Sequence, residues 1–453
     1  MNLRDRLVTT AFMPSNLVSL TEVDPPGTPR RAYQAIKVQM HQTLLQRIDL
    51  SALERLSPER RREELRLLVE RQLVDENLVL NAAERRQLVS DVQDEMLGHG
   101  PLEPLLADPA VSDILVNGAR QVYVERGGRL ELTEVCFVDD DHLMKVIDRI
   151  VSRVGRRIDE SSPMVDARLP DGSRINVIIP PLALDGPVMS IRRFPAMPLH
   201  MDNLLALQSL SPEMAQFLAA AAEAKINLLV SGGTGSGKTT LLNILSGFIP
   251  AGERIVTIED AAELQLQQPH VVRLETRTPN IEGRGAIGQN ALVRNALRMR
   301  PDRIILGETR GPEALDMLQA MNTGHEGSMT TIHANTARDA LARLESLIAM
   351  SGFDLPARAA RAQIASAVGL VVQANRLADG SRRITSIQEV SGMEGDVITM
   401  QEIFAFRQTG VGEDGRVQGH FQATGVRPRC WERLVARGLR LPETLFNPVR
   451  RPI

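Results

Sequence analysis

The chain has 453 residues, and at roughly 100–200 residues per domain this length predicts two to four domains. Hydrophobic residues make up 43% of the chain and charged residues 24%, which excludes a globally disordered protein. The net charge of −3 argues against a basic protein that coats nucleic acid. Two cysteines, Cys136 and Cys430, cannot build a disulfide framework or a four-ligand zinc site, which favours a reducing compartment.

No stretch of the sequence approaches 18 uncharged apolar residues, so no membrane-spanning helix is predicted. The N-terminal apolar run is broken by Pro14, Ser15 and Asn16, and no small-residue cleavage site follows, so a signal peptide is not predicted. We therefore expect a cytoplasmic protein, or one attached to a membrane from the cytoplasmic side.

The N-terminal third of the chain begins with irregular sequence and continues with helical patterns. Residues 1–29 contain Pro25-Pro26-Gly27 without apolar periodicity, which predicts a mobile arm. From residue 30 to residue 97, apolar residues recur at three- and four-residue spacing in three segments. Pro58 and Asn81 stand where two of these helices are expected to begin. A small helical bundle is predicted for residues 30–97.

Residues 98–195 change to short strand-like runs, beginning after Gly98-His99-Gly100-Pro101. The strand candidates are rich in β-branched residues or alternate apolar with polar residues, and they are SDILVNG, QVYVERGG, RLELTEVCF and RINVIIPP. One helix is predicted between them over residues 141–158. This pattern indicates an α+β domain, and the Pro- and Met-rich residues 196–204 that follow indicate a linker.

Residues 205–453 show the alternation of helices and strands that is typical of a parallel α/β sheet. The strand candidates INLLVS, RIVTIED and DRIIL are each associated with a helical segment. From about residue 370 the pattern predicts hairpins, one of them turning at Asp379-Gly380, and a short helix near Trp431 as the end of the fold.

The segment SGGTGSGKTT at residues 231–240 fits the phosphate-binding pattern G-x-x-x-x-G-K-[ST]. Glycines allow backbone N–H groups to surround phosphate oxygens, and the following helix directs its positive end at the same charge. A flexible turn with a chance lysine is the alternative, but the chain has only four lysines. Lys238 is predicted to contact the β- and γ-phosphates of ATP, and Thr239 is predicted to bind Mg²⁺. The nucleotide-binding residues are Gly232, Gly233, Thr234, Gly235, Ser236, Gly237, Lys238, Thr239 and Thr240.

Hydrolysis needs carboxylates beside the phosphates, to act on water and to organise the metal ion. Glu259 and Asp260 end one apolar strand and Glu308 ends another, at the edge where ligands of parallel sheets bind. A solvated helix cap is the alternative for Glu259 and Asp260. Glu308 departs from the usual pattern, in which aspartate ends the strand, so its longer side chain is predicted to reach Mg²⁺ through water.

Two histidines, His325 and His333, follow among small and hydroxyl-bearing residues. A metal site is disfavoured because no third ligand keeps a suitable spacing, which leaves a hydrogen-bonded structural histidine or a sensor of phosphate state beside Glu308. Four arginines of the α+β domain are catalytic candidates only if that domain acts on the nucleotide, and surface solubility is the alternative: Arg168, Arg174, Arg192 and Arg193.

The order of these motifs resembles the ATPases of type II and type IV secretion, with SGGTGSGKTT, TIEDAAEL, RPDRIILGETRG and TGHEGSMTTIHANT in sequence. Within that superfamily the chain is most similar to the CpaF/TadA branch, the motors of tight-adherence (Tad, Flp-type) pili, in VSDILVNG and most specifically in residues 299–335. The resemblance covers about residues 30–446.

The resemblance implies a homo-hexamer of subunits with a PAS-like α+β N-terminal domain and a RecA-like ATPase domain, with ATP held between the two. It implies that Glu259 positions the attacking water, that Glu308 supports Mg²⁺, and that His325 and His333 line the site. It also implies that Arg174, with Arg192 or Arg193, stabilises the γ-phosphate, Arg168 being the weaker candidate. The four-cysteine zinc site that is common in related extension ATPases is absent from this sequence.

We therefore expect a motor that hydrolyses ATP to drive pilus assembly through an inner-membrane platform, with retraction left open. The first alternative is an ATPase that moves protein or DNA in a type II/IV secretion or conjugation system. The second is a nucleotide-gated scaffold with little hydrolysis. No nucleic-acid partner is expected, because the chain is slightly acidic and has few aromatic residues for base stacking.

Overall fold

The computed structural model describes part of the segment between Tyr33 and Arg47, and then residues 55–76, 80–169, 171–193, 199–277, 284–353 and 355–452. The predicted arm at 1–29 lies outside the described residues, as does most of the first predicted helix of the bundle. The chain divides into two compact units, residues 1–196 and 197–453, which are described separately below.

Two long helices begin the continuous part of the first unit: α1 (Pro58–Asp75) and α2 (Ala82–Leu97). Helix α1 begins with Pro58 in its first turn, and Ser57 accepts a hydrogen bond from the backbone of Arg60. Asn81 forms a capping box with Glu84 at the start of α2. Both predicted helix starts are confirmed. The helices bury apolar side chains that form one small core with two residues of the preceding segment: Met40, Leu44, Leu65, Val69, Leu73, Leu88, Val89 and Val92.

The rest of the first unit is an antiparallel sheet of six strands with helices packed on one face. After a short helix, α3 (Glu103–Ala107), come β1 (Val111–Asn117), β2 (Gln121–Arg126), β3 (Arg129–Leu132), helix α4 (Asp140–Arg153), β4 (Met164–Arg168), β5 (Arg174–Ile178) and β6 (Val188–Arg192). The strand order across the sheet is β3-β2-β1-β6-β5-β4. Helix α4 ends at Arg153, earlier than predicted, because Gly155 adopts a left-handed conformation (φ +69°) that stops it.

The second unit is built on a ten-stranded sheet whose central strands are parallel. Its strands are β7 (Leu228–Gly232), β8 (Ile255–Glu259), β9 (Val271–Glu275), β10 (Arg303–Leu306), β11 (Met329–Ile332), β12 (Leu370–Arg376), β13 (Arg382–Glu394), β14 (Val397–Val411), β15 (Val417–Ala423) and β16 (Arg450–Pro452). The order is β16-β15-β14-β13-β12-β7-β11-β10-β8-β9, and the six strands from β12 to β9 run parallel to one another. The predicted parallel α/β sheet and the hairpin at Asp379-Gly380 are confirmed.

Helices cover both faces of this sheet, and every residue of β7 is buried between them. The helices are α5 (Met201–Ala206), α6 (Pro212–Glu223), α7 (Lys238–Ser246), α8 (Gln289–Ala296), α9 (Glu313–Asn322), α10 (Ala337–Ala349), α11 (Ala357–Ala367) and α12 (Trp431–Ala436). Leu228 and Val230 of β7 face one core and Leu229 faces the other, as strand alternation requires.

Two details differ from the sequence-based expectation. Residues 201–204 of the predicted linker belong to helix α5. The fold does not end at the helix near Trp431, because the chain continues through a 3-10 turn (Glu443–Phe446) to strand β16, which pairs with β15. A three-residue exposed strand that contains proline has no periodicity by which the sequence could have revealed it.

Candidate functional site

The carboxyl ends of four parallel strands in the second unit bring together most of the predicted site. Strand β7 leads into the glycine-rich loop, β8 ends at Glu259, β10 is followed by Gly307-Glu308, and β11 is followed by His333. These strands are adjacent in the order β7-β11-β10-β8. Residues that are up to 100 positions apart in sequence therefore lie along one edge of the sheet, where parallel α/β folds bind ligands.

The glycine-rich loop requires glycine at three of its positions. A Cβ atom on Gly232 would stand 2.1 Å from the carbonyl oxygen of Ala374, which lies opposite it on β12. Gly235 (φ +69°) and Gly237 (φ +91°) adopt left-handed conformations that side chains disfavour. The three glycines thus allow the loop to turn tightly. The tight turn brings the loop backbone close to any ligand held there.

Helix α7 begins directly after this loop, at Lys238, and its start has no side-chain cap. The first backbone N–H groups of the helix are therefore not satisfied by a capping side chain, and the positive end of the helix dipole favours an anion there. Ser236 is buried and donates to the carbonyl oxygen of Gly233 at 2.9 Å, whereas Thr239 is half-buried and Thr234 and Thr240 are exposed. The predicted phosphate-binding residues form one continuous cradle.

Lys238 is buried and contacts both the loop and the neighbouring strand end. Its Nζ atom donates to the carbonyl oxygen of Gly233 at 2.8 Å and lies 3.3 Å from Nε2 of His333. A phosphate oxygen that accepts from Lys238 would therefore compete with the Gly233 carbonyl. The predicted cation of the site lies within the cradle and not on the surface.

Glu308 is held from two sides at the end of β10. Its Oε1 atom lies 3.0 Å from Nε2 of His333, and its Oε2 atom accepts from Arg310, whose other guanidinium nitrogen lies 3.9 Å from Oδ2 of Asp260. Burial, and then the charge of Lys238, lower the pKa of His333, so that this imidazole is neutral at pH 7. A chain of contacts connects Lys238, His333, Glu308, Arg310 and Asp260 across four neighbouring strand ends.

Glu259 occupies a more enclosed position, with 3% of its surface exposed. Its Oε2 atom accepts from the backbone N–H groups of Glu263 (2.7 Å) and Leu264 (2.9 Å), while its Oε1 atom is buried without a partner. Burial raises the pKa of this carboxyl to about 7, against the effect of the two backbone hydrogen bonds. A carboxyl with a free acceptor and a pKa near neutrality is suited to take a proton from water.

The Gly-Glu sequence at 307–308 has a steric explanation. A Cβ atom on Gly307 would stand 2.9 Å from Cγ of Glu259, so the strand end opposite Glu259 has no room for a side chain. The carboxylate of this strand is therefore placed one residue later, at Glu308, where its side chain extends toward His333.

The oxygen donors present fit Mg²⁺, which prefers carboxylate and hydroxyl oxygens together with substrate phosphates and water. Thr239 follows Lys238 in the chain, and Lys238 and Glu308 both contact His333. A hydroxyl and a carboxylate therefore border the same cradle. Within the described ranges, no group of three or more His, Cys, Asp and Glu side chains is placed to hold a metal ion.

His325 does not lie beside these groups within this unit, which corrects the expectation that both histidines line one site. Its Nδ1 atom lies 3.0 Å from the carbonyl oxygen of Pro301, which precedes β10, whereas His333 follows β11. The four residues of β11 separate the two histidines, at about 3.3 Å per residue. His325 therefore stands at the amino-terminal edge of the sheet, as a hydrogen-bonded loop residue.

Three of the four candidate arginines form a row on one face of the first unit's sheet. Arg168, Arg174 and Arg192 are direct partners on the adjacent antiparallel strands β4, β5 and β6, and Asp113 of β1 continues the row. Direct partners project from the same face. Arg193 belongs to the opposite face, where its guanidinium donates to the backbone carbonyls of Asp108 and Val111. Arg192 and Arg193 were the alternative partners of Arg174. Arg192 shares the face of Arg174, whereas Arg193 is hydrogen-bonded within its own unit.

Sequence reasoning missed two arginines that contact the site. Arg310 bonds Glu308 from only two positions away, so its place in the quoted motif was a signal that could have been used. Arg382 donates from its Nε atom to the carbonyl oxygen of Gly235 at 2.8 Å across 147 residues of sequence. Nothing local in the sequence marks that contact.

The geometry is that of an α/β domain with a glycine-rich loop before a helix start and carboxylates at the neighbouring strand ends. The family model "Type II/IV secretion system protein" matches residues 95–418. The provisionally named conjugal transfer protein Rv3659c of Mycobacterium tuberculosis is 39% identical over 312 residues, which is 68% of this chain and 88% of that protein. Type IV secretion system protein PtlH of Bordetella pertussis is 37% identical over 62% of this chain and 91% of its own length.

Among solved structures, the VirB11 ATPase of the Brucella suis type IV secretion system, in complex with sulphate, is 30% identical. The match covers 63% of this chain and 94% of that one, with a TM-score of 0.34, so the family assignment depends on the sequence matches. The chain belongs to the type II/IV secretion system protein family, and it is an ATPase. Among the described residues, no helix has the length and apolarity needed to cross a bilayer.

Proposed function

We propose that this protein is the motor ATPase of a Tad-type pilus and that it converts ATP hydrolysis into mechanical work on an inner-membrane platform. The observation that carries the ATPase part is the contact chain from Lys238 through His333 to Glu308, with Glu259 buried at the next strand end. The pilus part rests on the resemblance of residues 299–335 to the CpaF/TadA branch.

Each group of the site receives a chemical role in this proposal. The loop of residues 232–240 holds the β- and γ-phosphates through backbone N–H groups, and Lys238 contacts them directly. Thr239, and Glu308 through water, would hold Mg²⁺, which would neutralise the charge that develops on the phosphates. Glu259 positions the attacking water and accepts its proton at Oε1. His333 connects Lys238 with Glu308, so that the loop and the metal-binding carboxylate respond to the same phosphate.

The arginine row of the first unit is proposed to supply positive charge to the γ-phosphate. Arg168, Arg174 and Arg192 are direct neighbours on adjacent strands, so an anion at this face would meet three positive charges together. We assign the contact to Arg174 and Arg192, with Arg168 as the weaker member. Arg193 is left out, because it belongs to the opposite face of the sheet, where its guanidinium donates to the backbone carbonyls of Asp108 and Val111.

The resemblance to secretion ATPases supports the remaining parts of the proposal. These are a homo-hexamer at the cytoplasmic face of the inner membrane, in which the first unit supplies a PAS-like domain and the second a RecA-like domain. Platform proteins of the membrane are the proposed partners. Sequential closure of the two domains on ATP around the ring would move the platform.

A second candidate function is an ATPase of a type IV secretion or conjugation system. The names of two relatives favour it, since one is called a conjugal transfer protein and the other a type IV secretion system protein. Stimulation of ATP turnover by nucleic acid would support DNA transfer, and none is expected here. The nucleotide-gated scaffold is disfavoured by the two carboxylates beside the glycine-rich loop, Glu259 and Glu308.

The test is to count surface pili by electron microscopy in cells that carry Lys238→Ala, beside wild-type cells and cells carrying Lys145→Ala. Lys145 is a lysine of helix α4 in the first unit and serves as the matched control. Loss of pili in the first variant alone, at normal protein levels, supports the Tad assignment. Unchanged pili together with lost ATP turnover reject the pilus role while leaving the ATPase intact, and secretion and DNA transfer are then the assays to run.

A further inference from the structure

Two consecutive arginines of the β12–β13 hairpin contact two separate parts of the second unit. Successive side chains of a strand point to opposite faces, so Arg382 and Arg383 at the start of β13 project in opposite directions. Arg382 is exposed and reaches the phosphate loop, while Arg383 is buried and reaches the segment by which the chain enters this unit.

Arg382 contacts the turn of the phosphate loop and stabilises it. Its Nε atom donates to the carbonyl oxygen of Gly235 at 2.8 Å, and its Cδ atom lies 3.6 Å from the position that a Cβ of Gly237 would take. These are the two loop glycines with left-handed backbone. The arginine therefore contacts the part of the loop that must keep its conformation for phosphate to be held.

Arg383 braces the turn that follows helix α5. Its Nη1 atom donates to the carbonyl oxygen of Leu207 at 2.9 Å and also to that of Gln208, and the next residue, Ile384, donates its N–H to Ser209 at 2.8 Å. Gln208 has a positive φ of 53°, a conformation that a residue with a side chain avoids unless its surroundings hold it there. Arg383 is 7% exposed, so this contact is an internal one.

The hairpin turn that precedes both arginines is held by Asp379. Its carboxylate accepts from the N–H (2.9 Å) and hydroxyl (2.6 Å) of Ser381 and from the N–H of Val417 at 2.8 Å. The turn is thereby attached to strand β15 as well as to itself. A displacement of Arg382 is then passed to Arg383 by a stiff hairpin, because the turn between the strands has little freedom to absorb it.

We propose that this hairpin couples the phosphate loop to residues 207–209, with Arg382 and Arg383 as positioning residues. The proposal rests on the proposed nucleotide site. A phosphate that accepts from Lys238 competes with the carbonyl oxygen of Gly233, so nucleotide binding changes the loop two residues from the carbonyl that Arg382 holds. The change is passed to the backbone of Leu207 and Gln208, which directly follow helix α5. The conformation of residues 207–209, near the start of the second unit, therefore depends on whether nucleotide is bound.

The experiment is hydrogen exchange on the full chain with and without saturating ADP and Mg²⁺, in wild type, Arg382→Ala, Arg382→Lys and Arg407→Ala. Arg407 is the matched control. It is an arginine of the same sheet as Arg382, on strand β14, and its side chain pairs with Glu402 of that strand. In wild type, nucleotide is expected to slow exchange in residues 231–240 and also in residues 201–210. Arg382→Ala is expected to weaken ADP binding about tenfold, through loss of one charge-assisted hydrogen bond.

At saturating ADP, Arg382→Ala should keep the protection of residues 231–240 but lose at least half of the protection of residues 201–210. Arg382→Lys should recover part of the protection of residues 201–210. Arg407→Ala should match wild type in both regions. Full protection of residues 201–210 in Arg382→Ala overturns the coupling, as does a wild type in which only residues 231–240 respond. Absence of any ADP binding by wild type, in a separate titration with fluorescent ADP, rejects the nucleotide site itself and is distinguishable from both.

Discussion

The Nε2 atom of His333 lies 3.0 Å from Oε1 of Glu308, and the same nitrogen lies 3.3 Å from Nζ of Lys238. One imidazole nitrogen therefore faces both the cation of the phosphate cradle and the carboxylate proposed to bind the metal. The lowered pKa of His333 keeps it neutral, so it either donates to Glu308 or accepts from Lys238, depending on its tautomer. This arrangement is suited to link phosphate binding with the position of Glu308.

His333→Ala is expected to lower the turnover number for ATP by about 10- to 100-fold, because Glu308 keeps only its contact with Arg310. The dissociation constant for ADP should change by less than about threefold, since the loop and Lys238 remain. Steady-state turnover and ADP titration measure the two quantities. His325→Ala is the matched control at the opposite edge of the sheet, and turnover that falls equally in both variants would contradict this assignment.

Glu259→Gln is expected to retain ATP and to slow hydrolysis by about 10²–10⁴-fold, because the amide cannot accept a proton from water. The raised pKa makes a second expectation. Glu259 must be ionised to act as a base, so kcat/KM in wild type should fall about tenfold per pH unit below a pH of about 7 and level off above it. A profile of kcat/KM from pH 5 to pH 9 measures this. A limb near pH 7 that persists unchanged in Glu259→Gln would assign it to another group.

Arg174→Ala is expected to bind ATP normally and to lose about 10³-fold or more in hydrolysis, as is found when an arginine that stabilises the γ-phosphate is removed. Single-turnover hydrolysis and a binding titration separate the two effects. Arg193→Ala should act differently, by lowering thermal stability through the loss of its bonds to the carbonyls of Asp108 and Val111. Unchanged turnover in Arg174→Ala removes the arginine assignment.

The first unit contains a buried ion pair that joins its helical bundle to its α+β part. Glu95 of α2 is 2% exposed, and its carboxylate contacts Lys37 at 2.8 Å and His142 of α4 at 3.0 Å. Glu95→Gln is expected to lower the free energy of unfolding by about 3 kcal/mol at pH 7, because it leaves Lys37 buried without its counter-charge. Urea denaturation measures this. Glu63→Gln, on the exposed pair with Arg66, serves as the control and should be without measurable effect.

The Glu95 carboxylate also predicts how the stability of the protein changes in acid. Burial opposes ionisation of Glu95, but the contacts with His142 and Lys37 outweigh it and lower its pKa from 4.5 to about 2. A lowered folded-state pKa contributes stability that is present above the unfolded value and is lost as the pH falls through the folded one. The difference in Tm between wild type and Glu95→Gln should therefore narrow between pH 4.5 and pH 2. A difference that is constant over this range would show that charge is not its cause.

Local features were predictable from the sequence because their determinants are neighbours in the chain. The cradle of residues 232–240 needs only a strand, a run of glycines and a helix start, and all three lie within about 20 residues. The helix starts at Pro58 and Asn81 and the hairpin at Asp379-Gly380 belong to the same class. In each, the backbone preference of one or two residues selects the local structure.

Relationships across the sheet were decided by the tertiary structure. Lys238 and His333 meet over 95 residues because β11 lies next to β7, and His325 and His333, only eight residues apart, are separated because a strand runs between them. Strand register likewise distinguished Arg192 from Arg193, since a shift of one residue reverses the face on which a side chain lies. Residue types and local spacing specify which chemistry is present, and strand order and register specify which groups meet to perform it.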